Sequence, residues 1–462
     1  MANSPKTDSR SLSDCFGIVV RRRNTGRALI YGMVSAVLAW GLCTTAVVQA
    51  ADTSPGGAGT YGYFDFATCV RHALVHSEHL IKSRLDIQIQ STSLKDAHSE
   101  LVPSFGIQTL YYLARTGGQG VESSPFSVRI YMGAWNPYLT LLKIKSQEIL
   151  VDIARITHEH KITEGIARIA KLFYEIHCVE NAVRVQKEAI ALYRKRIDYV
   201  ETLKDRGKSD DISDRVAKIQ LRSEELRLKG LETRKETAVR ELKTMIGYQP
   251  DFYLPLDIRD APNQILGGFN SGLIAFSDIQ GNNLQLKIQA KREQVQSNTV
   301  TGAYVNLVPQ PLFFMETLAN QVDRSSGLNM SLGLNYTIWD GFFRVREIKR
   351  QKMLAFKAKM DRHELSRRLY NEYRTLKTRL DMASEKEALQ KEQLNVAELQ
   401  EERAFLSYKS GALSFSDYLT ARIQTAQNNL SYMDVLQERV SAMIDLATVA
   451  GGMNKYNARI GL

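Results

Sequence analysis

Four cysteines in 462 residues are too few for a disulfide framework, and two of them, Cys15 and Cys43, lie in an N-terminal segment read below as a removed leader. The remaining pair, Cys69 and Cys178, falls on predicted helices far apart in sequence, where buried or free thiols are the default. No Gly-rich phosphate loop, nucleophile motif or catalytic constellation occurs, so neither a reaction nor a cofactor is expected. After residue 51 no apolar run approaches the roughly 20 residues of a helical membrane span. Residence in a membrane would then require a β-barrel. The net charge of +11 does not signal nucleic acid. Lys6, Arg10, Arg21, Arg22, Arg23 and Arg27 against Asp8 and Asp14 place +4 of it before residue 51, and no basic patch interleaved with aromatics follows. Proline and glycine are both missing from Phe343 to Lys409.

That last absence marks a helix. Charges are dense there and apolar residues recur at three- and four-residue steps, giving one helix of about 65 residues and about 100 Å. Ser410-Gly411 ends it. Just before it, Leu328, Met330, Leu332, Leu334, Tyr336 and Ile338 alternate with small or polar residues, a strand with two different faces. The change of period falls at the corner Trp339-Asp340-Gly341.

The same unit occurs twice. Trp135 and Trp339 share one offset in numbering with Gly207 and Gly411, Leu80 and Leu284, and Gly247 and Gly451. Leu101-Val102-Pro103 answers Leu307-Val308-Pro309 at a slightly larger offset, which a small length change between Leu80 and Pro103 would explain. Each half therefore reads as short helix, two strands, very long helix, tight turn and return helix. We divide the chain into a leader (1–50), a first repeat (51–264), a second repeat (265–452) and a C-terminal tail (453–462).

In chain order, Arg21-Arg22-Arg23 and Arg27 precede an apolar stretch from Ala28 to Val48, and Val48-Gln49-Ala50 offers a cleavage site, so residues 1–50 read as a signal peptide. Lipidation of Cys43 and a twin-arginine route rank below general secretion. The first short helix is expected from Phe66 to about Glu100, strand one over Phe105–Ala114, an exposed loop over Arg115–Ser124, and strand two around Phe126–Met132. The alternation suits a transmembrane barrel strand; a half-buried strand of a soluble sandwich shares it. The first long helix is expected from about Tyr138, after the corner Trp135-Asn136-Pro137, to Arg206, with a seam at Ile162, Ile166, Ile169, Phe173, Ile176 and Val183. The turn from Asp205 to Asp211 leads to a return helix over Ile212–Ile246. In the second half the short helix is expected over Asp278–Asn298 and a strand near Val305–Leu318, interrupted by Pro309 and Pro311. The last helix carries a seam including Leu419, Ile423, Leu430, Val440 and Met443. His72, His76 and His79 fall on one face of the first short helix, a pattern able to bind metal but read here as a polar surface; no metal site is expected.

With these features in place, the chain resembles the TolC-like outer-membrane efflux proteins over nearly all of its mature length. The residues carrying the resemblance are the paired Leu-Val-Pro segments, the corner Ile338-Trp339-Asp340-Gly341, and Tyr408-Lys409-Ser410-Gly411 followed by Ser416-Asp417-Tyr418-Leu419-Thr420-Ala421. Gly207, Ser213 and Ala217 form a looser first tip. The resemblance implies an α+β, internally duplicated fold, in which long helical hairpins form a periplasmic α-barrel. Each protomer adds four strands to a 12-stranded β-barrel in outer-membrane lipid, closed as a homotrimer. It also implies a periplasmic adaptor (membrane fusion protein), docking at tip residues such as Gly207, Lys208, Asp210, Asp211, Gly411 and Leu413, and an inner-membrane pump or ABC exporter. At the entrance Tyr408 matches a gate tyrosine and Asp417 a constriction aspartate, while Thr420 stands where a second aspartate is often found. Leu413 replaces an arginine and Ser213 an aspartate, so the usual Arg–Asp links are not expected. Other classes remain: a periplasmic adaptor, which should have one hairpin rather than two, and a soluble coiled coil, which leaves the alternating strands without a role.

Overall fold

A computed structural model of the protein describes residues 63–111, 126–132, 135–206, 211–249, 251–266, 276–319 and 326–451. The chain divides into two compact units, Met1–Tyr61 and Gly62–Leu462, of which the first lies outside the described residues together with the expected signal, the Arg115–Ser124 loop and the tail from 453 onward.

Helices α1 (Phe66–His76) and α2 (Glu78–Ser99) lead to strands β1 (Phe105–Tyr111) and β2 (Phe126–Met132). The hairpin of α3 (Pro137–Asp205) and α4 (Asp211–Ile246) follows, then the short α5 (Ala261–Leu266). The second half runs α6 (Phe276–Asn282), α7 (Leu284–Val305), β3 (Gln310–Ala319), β4 (Ser326–Asn335), α8 (Phe343–Lys409) and α9 (Phe415–Val449).

The first short helix is therefore two, not one. Ser77, at ψ 121°, breaks it, and Asn283, also at ψ 121°, does the same between α6 and α7, where its side chain accepts from the amides of Gln285 and Leu286. Each break is locked by a glycine from the distant end of a return helix. Gly247 has φ +72°, and a Cβ there would overlap the His76 carbonyl; Gly451 has φ +69°, and a Cβ would lie 3.2 Å from the Asn282 oxygen. Left-handed backbone and close approach both require glycine. Helix ends also correct the repeat register. Glu78 lies opposite Leu284 and Ser99 opposite Val305 in the two copies, the same offset that relates the Leu-Val-Pro segments. The length change between the repeats thus falls after Pro103, and Leu286, not Leu284, corresponds to Leu80.

All four strands form one antiparallel sheet in the order β1-β2-β3-β4. β3 includes Pro311, paired with Leu334, and begins later than expected because the helix before it continues to Val305. β4 ends at Asn335, so Tyr336 and Ile338 belong to the corner rather than the strand. Leu332 and Leu334 are exposed at 82% and 73%, while the intervening Gly333 is half-buried, so the large apolar groups project from the sheet face.

The helices lie side by side. Along the half nearer the sheet the order of packing is α2, α3, α7, α8; along the half nearer the tips it is α4, α3, α9, α8. The principal core sits where the two orders meet, with Phe66, Ile169, Phe173, Ile176, Leu242, Ile246 and Ile444 fully or almost fully buried. Val183 of the expected seam is only half-buried, its place taken by Val179, Ala182 and Val185, because α4 and α9 flank α3 and widen its buried stripe beyond one heptad line. Helix α8 is the opposite case. Its 67 residues bury only Leu369, Ala383 and Ala397 among those described.

Candidate functional site at the hairpin tips

The second tip is built by backbone geometry first. Ser410 ends α8, Gly411 turns at φ +79°, and the amides of Ala412 and Leu413 both donate to the Ser407 carbonyl. Ser414 then caps α9: its hydroxyl accepts from the Asp417 amide at 3.2 Å and donates to the Asp417 carboxylate at 2.6 Å. Asp417 thus belongs to a reciprocal cap, in which an acidic side chain also favours the positive helix end. It remains exposed, so its charge still faces water. Thr420 is exposed as well, its hydroxyl donating to the Ser416 carbonyl at 2.9 Å, and Leu413 is half-buried.

Aromatic rings fill the space between the helices behind that cap. Tyr408 stacks on Tyr418 at 5.7 Å and 7°, and packs against Phe415 at 5.4 Å; Phe405 meets Tyr418 at 5.6 Å. Tyr199 of α3 meets Phe415 edge-on at 5.4 Å and 71°, joining the first hairpin to the second. Tyr199, Phe405 and Phe415 escape sequence reading, because an aromatic at helical spacing looks the same in a core stripe and at a tip.

At the first tip Gly207, Lys208 and Asp210 lie outside the described residues. Asp211 opens α4, and its side chain, like that of Ser213, lies outside them too. The described polar group here is one that sequence reading misses. Lys218 Nζ reaches Glu201 Oε1 at 2.9 Å and Asp214 Oδ2 at 3.0 Å, and its hydrogen bonds, to Glu201 first and then to Asp214, hold the ammonium above its ordinary value.

The strand-to-helix corners are distinct from each other. Asn136 caps α3 by accepting from the amides of Tyr138 and Leu139 at 3.1 and 3.3 Å, with half-buried Trp135 before it and Pro137 at the first helical position, where no amide is needed. In the second corner Gly341 (φ +62°) and Phe342 (φ +63°) are both left-handed; Phe342 is the one non-glycine residue so found among those described. Its ring packs on exposed Trp339 at 4.9 Å, and Asp340 Oδ2 accepts from the Arg344 amide at 3.2 Å. Such strain costs of order 1–2 kcal/mol and is sustained by these contacts.

The histidine face expected on one helix is divided by the Ser77 break. His72 and His76 lie 4.4 Å apart by ring centroid, with His72 Nδ1 2.9 Å from the Ile246 carbonyl, while His79 lies beyond the break and lines a cavity of about 260 Å³ with Lys161 and Arg168. No group of three or more His, Cys, Asp or Glu is placed to hold a metal among the described residues. Cys69 and Cys178 are free and buried.

Two duplicated helical hairpins on a four-stranded sheet, with both its edges open among the described residues, define a protomer of barrel-and-tube type. Neither family models nor curated protein sequences match the chain. Solved structures do. CusC, whose structures concern folding and transmembrane channel formation, superposes with a TM-score of 0.70 at 12% identity, covering 84% of this chain and 92% of that one. The outer membrane protein VceC of Vibrio cholerae gives 0.68 at 12%, over 84% and 96%, and the MtrE outer membrane channel of Neisseria gonorrhoeae in its open state 0.67 at 13%, over 84% and 88%. The chain has the TolC-like fold of these outer-membrane channels.

Proposed function

We propose that the protein is the outer-membrane channel of a tripartite efflux pump or type I secretion system, a gated duct that passes substrates across the periplasm and outer membrane without chemistry. The observation that carries this reading is the open side of α8. Met353, Phe356, Met360, Met382, Leu389 and Val396 are exposed on a helix that buries almost nothing of its own. Burying such side chains is worth about 1.5–3 kcal/mol each, and a lone protomer leaves that gain unused. Three protomers side by side cover these faces and bring 12 strands together, enough to close a barrel and remove the sheet edges. The lipid-facing outer-membrane band is then the apolar face of strands such as β4. A periplasmic adaptor and an inner-membrane pump or ABC exporter complete the system at the hairpin tips. Three copies of Asp417 form the carboxylate ring at the entrance, with Tyr408 behind it.

Single-channel conductance of the purified protein in planar bilayers, with Asp417→Ala alongside, tests the reading. Stable unitary steps whose block by divalent cations weakens in the variant support it. A protein that stays soluble without detergent and never inserts overturns it.

A further inference from the structure

The internal repeat sets the seam between protomers residue by residue, an inference that rests on the trimeric reading above. Inside one protomer α3 is flanked on both sides, whereas α8 has α7 and α9 on one side and no helix of comparable length on the other among the described residues. The missing neighbours of α8 are the counterparts of α7 and α9, namely α2 and α4 of a second copy. Those two helices likewise have one open side. The contacts that α3 makes with α7 and α9 can therefore be carried onto α8, at the offset that relates Trp135 to Trp339. The partners carry back onto α2 at the offset of Glu78 and Leu284, and onto α4 at that of Gly207 and Gly411.

Nearer the tips, Val185 and Leu430 share one buried cluster, and Leu192 and Ile423 another. Carried over, these become Leu389 with Leu226 and Val396 with Ile219. One turn further in the same register Leu399 meets Val216. All six side chains are large, apolar and exposed in the protomer, Leu226 at 65% and Leu389 at 61%. Nearer the sheet, Lys291 pairs with Asp152 at 2.8 Å inside the protomer. That polar rung becomes Leu85 with Phe356, and one turn away in the same register Ile81 meets Met360. These four are exposed too, Phe356 at 63%. Sliding either register by a single position would set most of these side chains against charged or polar groups, such as Arg84, Asp86, Glu225 and Arg227.

We propose that a second copy of this chain docks in this one register, α8 of one protomer seated on α2 and α4 of the next through Phe356–Leu85, Met360–Ile81, Leu389–Leu226, Val396–Ile219 and Leu399–Val216. The coincidence supporting it is that the internal register, set by one ion pair and two shared apolar clusters, brings exposed apolar residues on α8 opposite exposed apolar residues on α2 and α4, in two separate segments. Interfaces are distinguished by an apolar, charge-depleted centre of this kind. Where the repeats differ, polar inside the protomer and apolar between protomers, the difference follows from need: chain connectivity already holds α7 to α3, while free subunits must recover their lost translational freedom by burial.

The test is disulfide trapping in the full-length protein in outer membranes. Paired substitutions Leu226→Cys with Leu389→Cys, and separately Ile81→Cys with Met360→Cys, are oxidised with copper phenanthroline and run on non-reducing gels. Displaced pairs, Leu226→Cys with Val396→Cys and Ile81→Cys with Met353→Cys, sit about 10 Å out of register, beyond disulfide reach. Covalent trimers from both matched pairs and monomers from both displaced pairs are expected. Trimers by light scattering that link through the displaced pairs, or through neither set, overturn the register and leave the channel reading standing. A purified protein that is not trimeric overturns both.

Discussion

Tyr199 and Phe415 sit edge to face at 5.4 Å across the gap between the two hairpins, close to the tips. Beside them Leu192, Tyr193, Leu419 and Ile423 form a small closed cluster. An aromatic pair of this geometry adds about 0.5–1.5 kcal/mol beyond its area. Leu413 and Ser213 carry no charge, so neither can supply an ion pair across the tips. Phe415→Ala should free the end of the second hairpin from the first, raising amide exchange in α3 residues near Tyr199 and increasing channel conductance. Unchanged exchange together with unchanged conductance would show that the ring pair is not a clasp.

The cap that Asp417 completes and the ring charge proposed for it can be separated. Ser414→Ala removes the cap hydroxyl and should cost about 1 kcal/mol of stability while leaving the charge, so cation block stays as it was. Asp417→Asn keeps an acceptor for the cap and removes the charge; block should weaken with little change in Tm. Equal effects of both variants on block would mean the carboxylate acts only through the helix end.

Gly247 can be compared with Gly230. The first is left-handed and pressed on His76, whereas the second lies within α4 with open space where a Cβ would go. Gly247→Ala should destabilise by about 2 kcal/mol or more, and Gly230→Ala should stabilise by about 0.5–1 kcal/mol. Thermal unfolding in detergent reads both, and shifts of the same sign would rule out this backbone account.

Two histidines tie stability to pH. Burial lowers His72 below the ordinary 6.5, opposed by its hydrogen bond to the Ile246 carbonyl and reinforced by His76. Burial likewise lowers His158, with Arg84 and Lys161 beside it, where its Nδ1 lies 2.6 Å from Ser83 Oγ. The folded chain then binds fewer protons than the unfolded chain around and below pH 6.5. Their contribution is complete above the ordinary value and is lost as pH falls through it toward the depressed ones. Tm should drop between about pH 7.5 and about pH 5.5, and His72→Asn with His158→Asn should flatten the slope. A drop of the same size in the double variant refutes the assignment.

Burial pushes both Cys69 and Cys178 up to about 12. A thiol so held offers almost no thiolate at neutral pH. Maleimide should therefore leave the folded protein unlabelled and modify both once it is denatured; labelling of the native protein would contradict the packing of α1 and α3.

Much of this architecture is legible in the sequence because long helices announce themselves by what interrupts them. The limits of α8, Phe343 to Lys409, coincide with the stretch free of proline and glycine. The break at Ser77 is not legible, since serine is no helix breaker and the cause lies in Gly247, at the far end of α4, pressing on the turn. Cap chemistry at Asp417 is written in Ser414-x-x-Asp417, but the same carboxylate also reads as a ring charge, and the pattern alone does not show that it serves the helix end. Which aromatics cluster at the tip depends on how α3 and α9 are set against each other, a tertiary fact that no local pattern carries.

Because α1–α2 and α6–α7 are each interrupted, α3 and α8 are the continuous struts between sheet and tips among the described helices of the protomer. A load applied at the tips reaches the sheet through these two members. At about 100 Å each, a tilt of roughly 5° moves the far end by about 9 Å. Pivoted at the sheet, each strut leaves that end almost still while the tips swing through a distance comparable to a helix diameter, so the sheet is the fulcrum of the lever.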